Sequence, residues 1–135
     1  MINIEFVDRE YNFDISRLES WLTKVATNEN KTIGILSLVL GSDEWLLEKN
    51  VQFLNHDYYT DIITFDYTED QIISGDLLIS LDRVTENAES NNVSRETELM
   101  RVVVHGALHL LGYDDKSKKD AELIRKKEDY YLSLL

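Results

Sequence analysis

The chain has no cysteine and no proline, only five glycines, and no long apolar run. Without thiols there is no disulfide and no thiolate metal site, so any bound ion must take nitrogen and oxygen ligands. No stretch approaches the roughly 18 apolar residues that span a bilayer, and Met1-Ile2-Asn3-Ile4-Glu5 has no basic segment ahead of an apolar one. The expectation is a cytoplasmic protein with no membrane partner. The lack of proline carries no functional reading. Positive charge is scarce too: 14 Lys and Arg stand against 26 Asp and Glu, a net charge of −12. Spread evenly, that field would oppose a nucleic acid. It is not even, because Lys116, Lys118, Lys119, Arg125, Lys126 and Lys127 crowd the C-terminal end, behind Arg95 and Arg101. This basic edge either guides a phosphate backbone or is the solvated face of a helix in which Glu122, Glu128 and Asp129 are interspersed.

At 135 residues, 43% apolar and 30% charged, the chain is expected to form a single domain over residues 1–135, large enough to bury a core. Ile2, Ile4 and Phe6 alternate with Asn3 and Glu5, the pattern of a half-buried strand. Ile15, Leu18, Leu22 and Val25, with Trp21 beside them, recur at helical spacing. Residues 33–40 are apolar on both faces and rich in β-branched side chains, which predicts an interior strand. Ser42 caps a helix over about 43–54, with two acids in its first turn. A polar, aromatic loop at 55–59 leads to a strand over 60–65, a turn at 68–71 and a strand over 75–81. Asp82 is the expected cap of a short helix through Val84 and Ala88, ended by Asn91-Asn92. Ser94 caps the next helix, over 95–111, which turns apolar on nearly every side from Leu99 onward and so belongs at the centre of the fold. A last helix, over 117–134, should turn Leu123, Ile124 and Leu132 inward. These elements predict one α+β domain.

The most informative stretch is His105-Gly106-Ala107-Leu108-His109-Leu110-Leu111-Gly112-Tyr113-Asp114-Asp115. Two histidines four apart on a helix share one face, with Cβ atoms about 5–6 Å apart, close enough for both imidazoles to hold one ion. Gly112 can end the helix in a left-handed conformation and turn the chain back, which offers Asp115 as a third ligand. Taken singly, each histidine on an apolar helix is explained as a satisfied core residue. Taken together, each needs its own buried partner, whereas one metal satisfies both. Two His, one Asp and an open position outline a hydrolytic metal site. In the metalloprotease pattern His-Glu-x-x-His the second residue is the general base. Here it is Gly106, so a protease of that type lacks its proton acceptor. Gly106 also lets a backbone or a substrate come close, at some cost to the helix.

HGALHLLGYDD resembles the signature His-Gly-x-Leu-His-Leu-x-Gly-Tyr-Asp-His of the YbeY family. Two further segments are similar to that family. NVQFLNHDYYTDIITF, residues 50–65, matches its segment of an Asn, an aromatic and a closing Thr-Asp-Val-Leu-Ser-Phe strand. Ser74-Gly75-Asp76-Leu77-Leu78-Ile79 matches its Leu-Gly-Asp-Ile-x-Ile strand. The likeness runs in order from Asn50 to Asp115. It implies a small zincin-like α+β domain, a mixed four-stranded sheet packed with about five helices, one of which carries the metal. It also implies a zinc-dependent, single-strand-specific endoribonuclease acting in ribosomal RNA maturation, at the 16S rRNA 3′ end, and in ribosome quality control. The implied partners are single-stranded or ribosomal RNA and the small ribosomal subunit, not DNA. In this chain the zinc ligands would be His105, His109 and Asp115.

Three departures bear on the chemistry. Asp115 stands where the family has its third histidine. An Asp oxygen ligates zinc at about 2.0–2.2 Å, but it makes the site more negative, weakens the acidification of water and favours a harder ion such as manganese. Leu54 stands where many members carry an arginine for substrate phosphate. Arg101, one helical turn before His105, is the expected replacement, and the competing reading is an ion pair with Glu98 or Asp76. Tyr59 replaces a proline and either stacks a base or packs, packing being favoured. Asp114 is expected to orient a ligand histidine, and His56, in its loop beside Asp57, is not expected to coordinate. RNA would lie across Tyr58, Tyr59 and the lysines that begin at Lys116. Two other functions stay open: a zinc hydrolase of a peptide or small molecule, and a noncatalytic ribosome-assembly factor with a structural metal.

Overall fold

Residues that are apolar on both faces of a strand call for cover on both sides. Strand β2 (Thr32–Gly41) is fully buried on one face through Leu36, Leu38 and Leu40 and only partly covered on the other, where Ile35 is exposed. In the computed structural model, which describes residues 1–8 and 15–135 and only the backbone of Ile15, β2 lies inside a four-stranded sheet. Its neighbours are β1 (Ile2–Phe6) and β4 (Ile72–Ser80), both parallel to it, and β3 (Ile62–Asp66) pairs antiparallel with β4 at the edge. Leu36, Leu38 and Leu40 of β2 and Leu77 and Ile79 of β4 point to one face and are fully buried. Leu78 points to the other face. The mixed four-stranded sheet expected from the family resemblance is therefore present.

Among the described residues, five α-helices cover the two faces unequally. The larger core takes Leu18, Trp21, Leu22 and Val25 from α1 (Ile15–Asn28), Leu81 and Val84 from α3 (Leu81–Asn91), and Ile124 and Tyr131 from α5 (Lys118–Leu132). The Ile15 side chain, expected on the same α1 stripe, lies outside the described residues. At the centre runs α4 (Arg95–Leu110), whose Leu99, Val102, Val103, Val104, Ala107 and Leu108 are all buried. On the opposite face α2 (Asp43–Lys49) packs Leu46 against Ile63 and Leu78.

Several boundaries differ from expectation for identifiable reasons. The helix expected over 43–54 is α-helical only to Lys49 and then widens into a π-turn, Asn50–Leu54. Buried Asn50 donates its side-chain N–H to the Tyr58 carbonyl at 2.9 Å, and Asn55 closes the turn in the left-handed region. Strand β4 starts three residues before Gly75, as the returning arm of a β3–β4 hairpin. Ser80, not Asp82, caps α3 by accepting the Arg83 N–H, while Asp82 accepts the Asp43 N–H at 2.8 Å. On α5 Leu123 is exposed, and the buried position is taken by Tyr131.

Gly106 is where α4 crosses closest to the sheet. A Cβ there would lie 2.8 Å from methyl carbons of both Ile62 and Leu77, so its bareness serves helix–sheet packing rather than the approach of a substrate. Overpacking at such a point costs about 1–3 kcal/mol, and the better helix propensity of alanine returns up to about 1 kcal/mol. Gly106→Ala is therefore expected to lower the urea midpoint, and Gly106→Val to lower it further. An unchanged midpoint would contradict this packing.

Candidate metal centre

On α4 the otherwise buried surface opens at His105 and His109, whose side chains are 24% and 26% exposed. The helix ends in a tight turn. Gly112 has φ +103°, its N–H reaches the His109 carbonyl at 3.0 Å, and the Tyr113 N–H reaches the Leu108 carbonyl at 3.0 Å. Such a left-handed closure favours glycine. It brings the chain back so that Asp115 Oδ2 lies 3.4 Å from His105 Nε2 and 3.5 Å from His109 Nε2, while the two Nε2 atoms are 3.0 Å apart. Ligand bonds of about 2.0–2.2 Å at tetrahedral angles set ligand atoms about 3.3–3.6 Å apart, close to this triangle.

The outer ring nitrogens identify what the inner ones carry. His109 Nδ1 is 3.0 Å from the Tyr113 carbonyl, which can only accept, so Nδ1 holds the proton. His105 Nδ1 lies 2.6 Å from Glu128 Oε2 and donates to that carboxylate. In the neutral rings both Nε2 atoms then present lone pairs, and they face each other and the Asp115 carboxylate. Three acceptors converging without a donor are satisfied either by a proton shared among them or by one metal ion. The donor set, two imidazoles and a carboxylate, fits a single metal ion with an open position.

Charge around the centre is arranged to keep this geometry. Glu128 is 4% exposed and accepts from both His105 and Arg101, the latter at 3.0 Å. Burial works against its charge, but His105 and Arg101 outweigh that and hold its carboxyl below the usual range. Burial likewise opposes charge on His105, yet Glu128, helped by Asp115 and Asp61, raises the imidazole above its ordinary value. Asp61, just before β3, is pushed up by burial more than His105 pulls it down. Two clefts meet at the centre. One, about 430 Å³, runs along β3 and is lined by Leu54, Thr60, Thr64 and both histidines. The other, about 250 Å³, lies between α4 and α5 and is lined by Arg101 and Arg125. Asp61, His105 and Asp115 border both.

Residues 3–135 match the family model described as Endoribonuclease YbeY. The chain belongs to the YbeY family. Endoribonuclease YbeY of Flavobacterium johnsoniae is 46% identical, over 99% of this chain and 96% of its own length. Endoribonuclease YbeY of Cytophaga hutchinsonii is 48% identical, over 88% of this chain and 84% of its own. Among solved structures, the solution structure of the Thermotoga maritima protein TM1509 superimposes with a TM-score of 0.67 at 29% identity, covering 98% of this chain and 87% of that one. The YbeY resemblance read from three segments thus extends over almost the whole chain.

The structure brings His105, His109 and Asp115 together as expected and rearranges the residues around them. Arg101 lines the smaller cleft but is held in an ion-pair network. Its guanidinium is bound by Glu128 at 3.0 Å and Asp129 at 2.7 Å, on α5 rather than the suggested Glu98 or Asp76. Asp114 does not orient a histidine; its carboxylate accepts the Asp115 N–H at 2.7 Å, and Glu128 and the Tyr113 carbonyl perform that task. Tyr59 is exposed, its hydroxyl on Glu44 at 2.6 Å and Arg83 over its ring. Tyr58 is exposed and stacks on His56, whose Nδ1 meets the Tyr58 hydroxyl at 2.9 Å, so His56 stands apart from the His105–His109–Asp115 group. Lys116 is exposed beside Asp115. Glu128 was legible only as a charge on a buried stripe, since Ile124, Glu128 and Tyr131 follow helical spacing.

The sign of the pH dependence follows for the metal-free protein. His105, raised in the fold, adds stability that is complete below its usual 6.5 and is lost as pH rises through the raised value. Glu128, lowered in the fold, adds stability that is complete above its usual 4.5 and is lost as pH falls through the depressed value. The pair is therefore worth most between these two values. Denaturant midpoints of metal-free protein should decline above that window, and Glu128→Gln should flatten the decline. A midpoint that rises steadily to alkaline pH would contradict the pairing.

Proposed function

We propose that this chain is a metal-dependent endoribonuclease that cuts single-stranded RNA, with ribosomal RNA at the 16S 3′ end and the small ribosomal subunit as its setting. DNA is not an expected substrate, and a cytoplasmic location goes with that substrate. The observation that carries the reading is the convergence of three lone-pair acceptors where two clefts meet. The relatives' name, endoribonuclease, supplies the reaction class. One zinc ion is the cofactor we assign to His105, His109 and Asp115, with manganese admitted by the extra carboxylate. When bound, such an ion supplies charge stabilisation for a phosphate oxygen and acidification of water.

The chain's own residues do the rest. Glu128 and the Tyr113 carbonyl keep both imidazoles in the tautomer that faces inward. Exposed Leu54 lines the larger cleft and offers apolar surface for an unstacked base. A phosphate also needs a cation, and Arg101 is engaged by two carboxylates. Arg125 lines the same smaller cleft, is 59% exposed and approaches Glu128 only to 3.9 Å. We assign the phosphate contact to Arg125.

Purified chain should carry or take up close to one ion. Cleavage of an unstructured RNA should be abolished by chelator, restored by zinc or manganese, and lost in His109→Ala. Arg125→Ala should raise KM about tenfold, as expected for one charge-assisted hydrogen bond of about 1.5 kcal/mol, with little change in stability. Arg101→Ala should instead lower stability by about 1–3 kcal/mol, because buried Glu128 then keeps only His105 as a close partner. Ribosome association without cleavage, unaltered in folded His109→Ala, would favour the noncatalytic assembly factor.

A further inference from the structure

Glu29, directly after α1, gathers partners from the far end of the chain. Its Oε1 accepts the Tyr113 hydroxyl at 2.7 Å, its Oε2 accepts the Tyr131 hydroxyl, and Lys127 Nζ lies 3.4 Å from Oε2. Lys127 also sits over the Tyr113 ring, 5.7 Å from its centroid. The Glu29 side chain is only 15% exposed. Burial opposes its charge, but the two phenols and Lys127 outweigh it and keep the carboxyl below its usual range. Trp21 adds a second tie between α1 and α5, donating its indole N–H to the Tyr131 carbonyl at 2.8 Å. Were this all, Glu29 would be a clamp between α1 and α5.

Tyr113 gives the clamp a further consequence. Its phenol ends on Glu29, and its backbone carbonyl ends on His109 Nδ1 at 3.0 Å. Two residues further on, Asp115 returns to the histidines from a segment without regular secondary structure, its side chain 44% exposed. Asp114 and Lys116 beside it are exposed. Tyr113 is thus a side chain that ties the segment carrying Asp115 to the residue directly after α1.

We infer that Glu29 is a positioning residue of the metal centre, holding through Tyr113 both the carbonyl that orients His109 and the segment that returns Asp115. This rests on the metal-site reading above and adds to it a residue 84 positions away from Tyr113. Partners of this outer kind typically change metal affinity by about 10–100-fold when removed.

The test is metal binding by the full chain, stripped of ions and titrated with Co²⁺, whose visible bands report coordination geometry, and with Zn²⁺ against a chelating dye. Glu29→Ala and Tyr113→Phe should each weaken binding by about 10–100-fold and alter the Co²⁺ bands. The double variant should be no weaker than the weaker single, because both act along one connection. Glu29→Gln, which keeps an acceptor for the Tyr113 hydroxyl, should recover most of the loss. Tyr131→Phe, which cuts the clamp but spares the Tyr113 bond, should bind nearly as the wild type does. Folded Glu29→Ala and Tyr113→Phe that bind within about twofold of wild type, with unchanged bands, would overturn the inference and leave the metal site standing. If Glu29→Ala does not fold, Tyr113→Phe decides. A wild-type chain that binds neither ion would overturn the metal-site reading, and the inference with it.

Discussion

Three lone pairs held about 3 Å apart repel one another, and the geometry around α4 and α5 is organised to keep them there. Each outward ring nitrogen is committed to an acceptor, one to a buried carboxylate and one to a main-chain carbonyl. Neither imidazole can relieve the crowding by changing tautomer without losing that bond. Positive charge in the middle would stabilise the arrangement, from a proton or from the ion proposed for these residues.

Rigidity comes from the fold's most buried element. Because α4 is packed on nearly all sides, its two histidines are fixed by the core. Gly106 lets that helix lie against Ile62 and Leu77, which also brings the β3 cleft up to the histidines. Asp115 has no such support. It depends on the Gly112 turn, and the turn depends on where Tyr113 is anchored. Negative charge from Glu128, Asp61 and Asp115 surrounds the centre and suits a cation, so a phosphate needs a positive group at the rim. Arg125 on α5 stands there, although the chain as a whole carries a net charge of −12.

Local chemistry was legible in the sequence, and partnerships made by folding were not. Helical spacing placed His105 and His109 on one face, and a glycine turn predicted the return of Asp115, because all three lie within eleven residues. The strands, the five helices and the central position of α4 followed from periodicity and capping. Arg101 was misread because its own helix points it along the histidine stripe, while the carboxylates that capture it come from α5, 27 and 28 residues away. The orienting role expected of Asp114 went to Glu128 and to a backbone carbonyl, a group every residue has and no residue type announces. The helix over 43–54 broke at Asn50 because a buried amide found the Tyr58 carbonyl, a contact outside the apolar pattern.

The central claim is that both Nε2 atoms and the Asp115 carboxylate share one ion. An anomalous-difference map from crystals of zinc-loaded protein tests it most directly. One strong peak is predicted, about 2.0–2.2 Å from His105 Nε2, His109 Nε2 and an Asp115 oxygen, with the His105–Glu128 and His109–Tyr113 bonds intact. A peak bound through an Nδ1, a peak that leaves Asp115 unliganded, or no peak at these residues would contradict it.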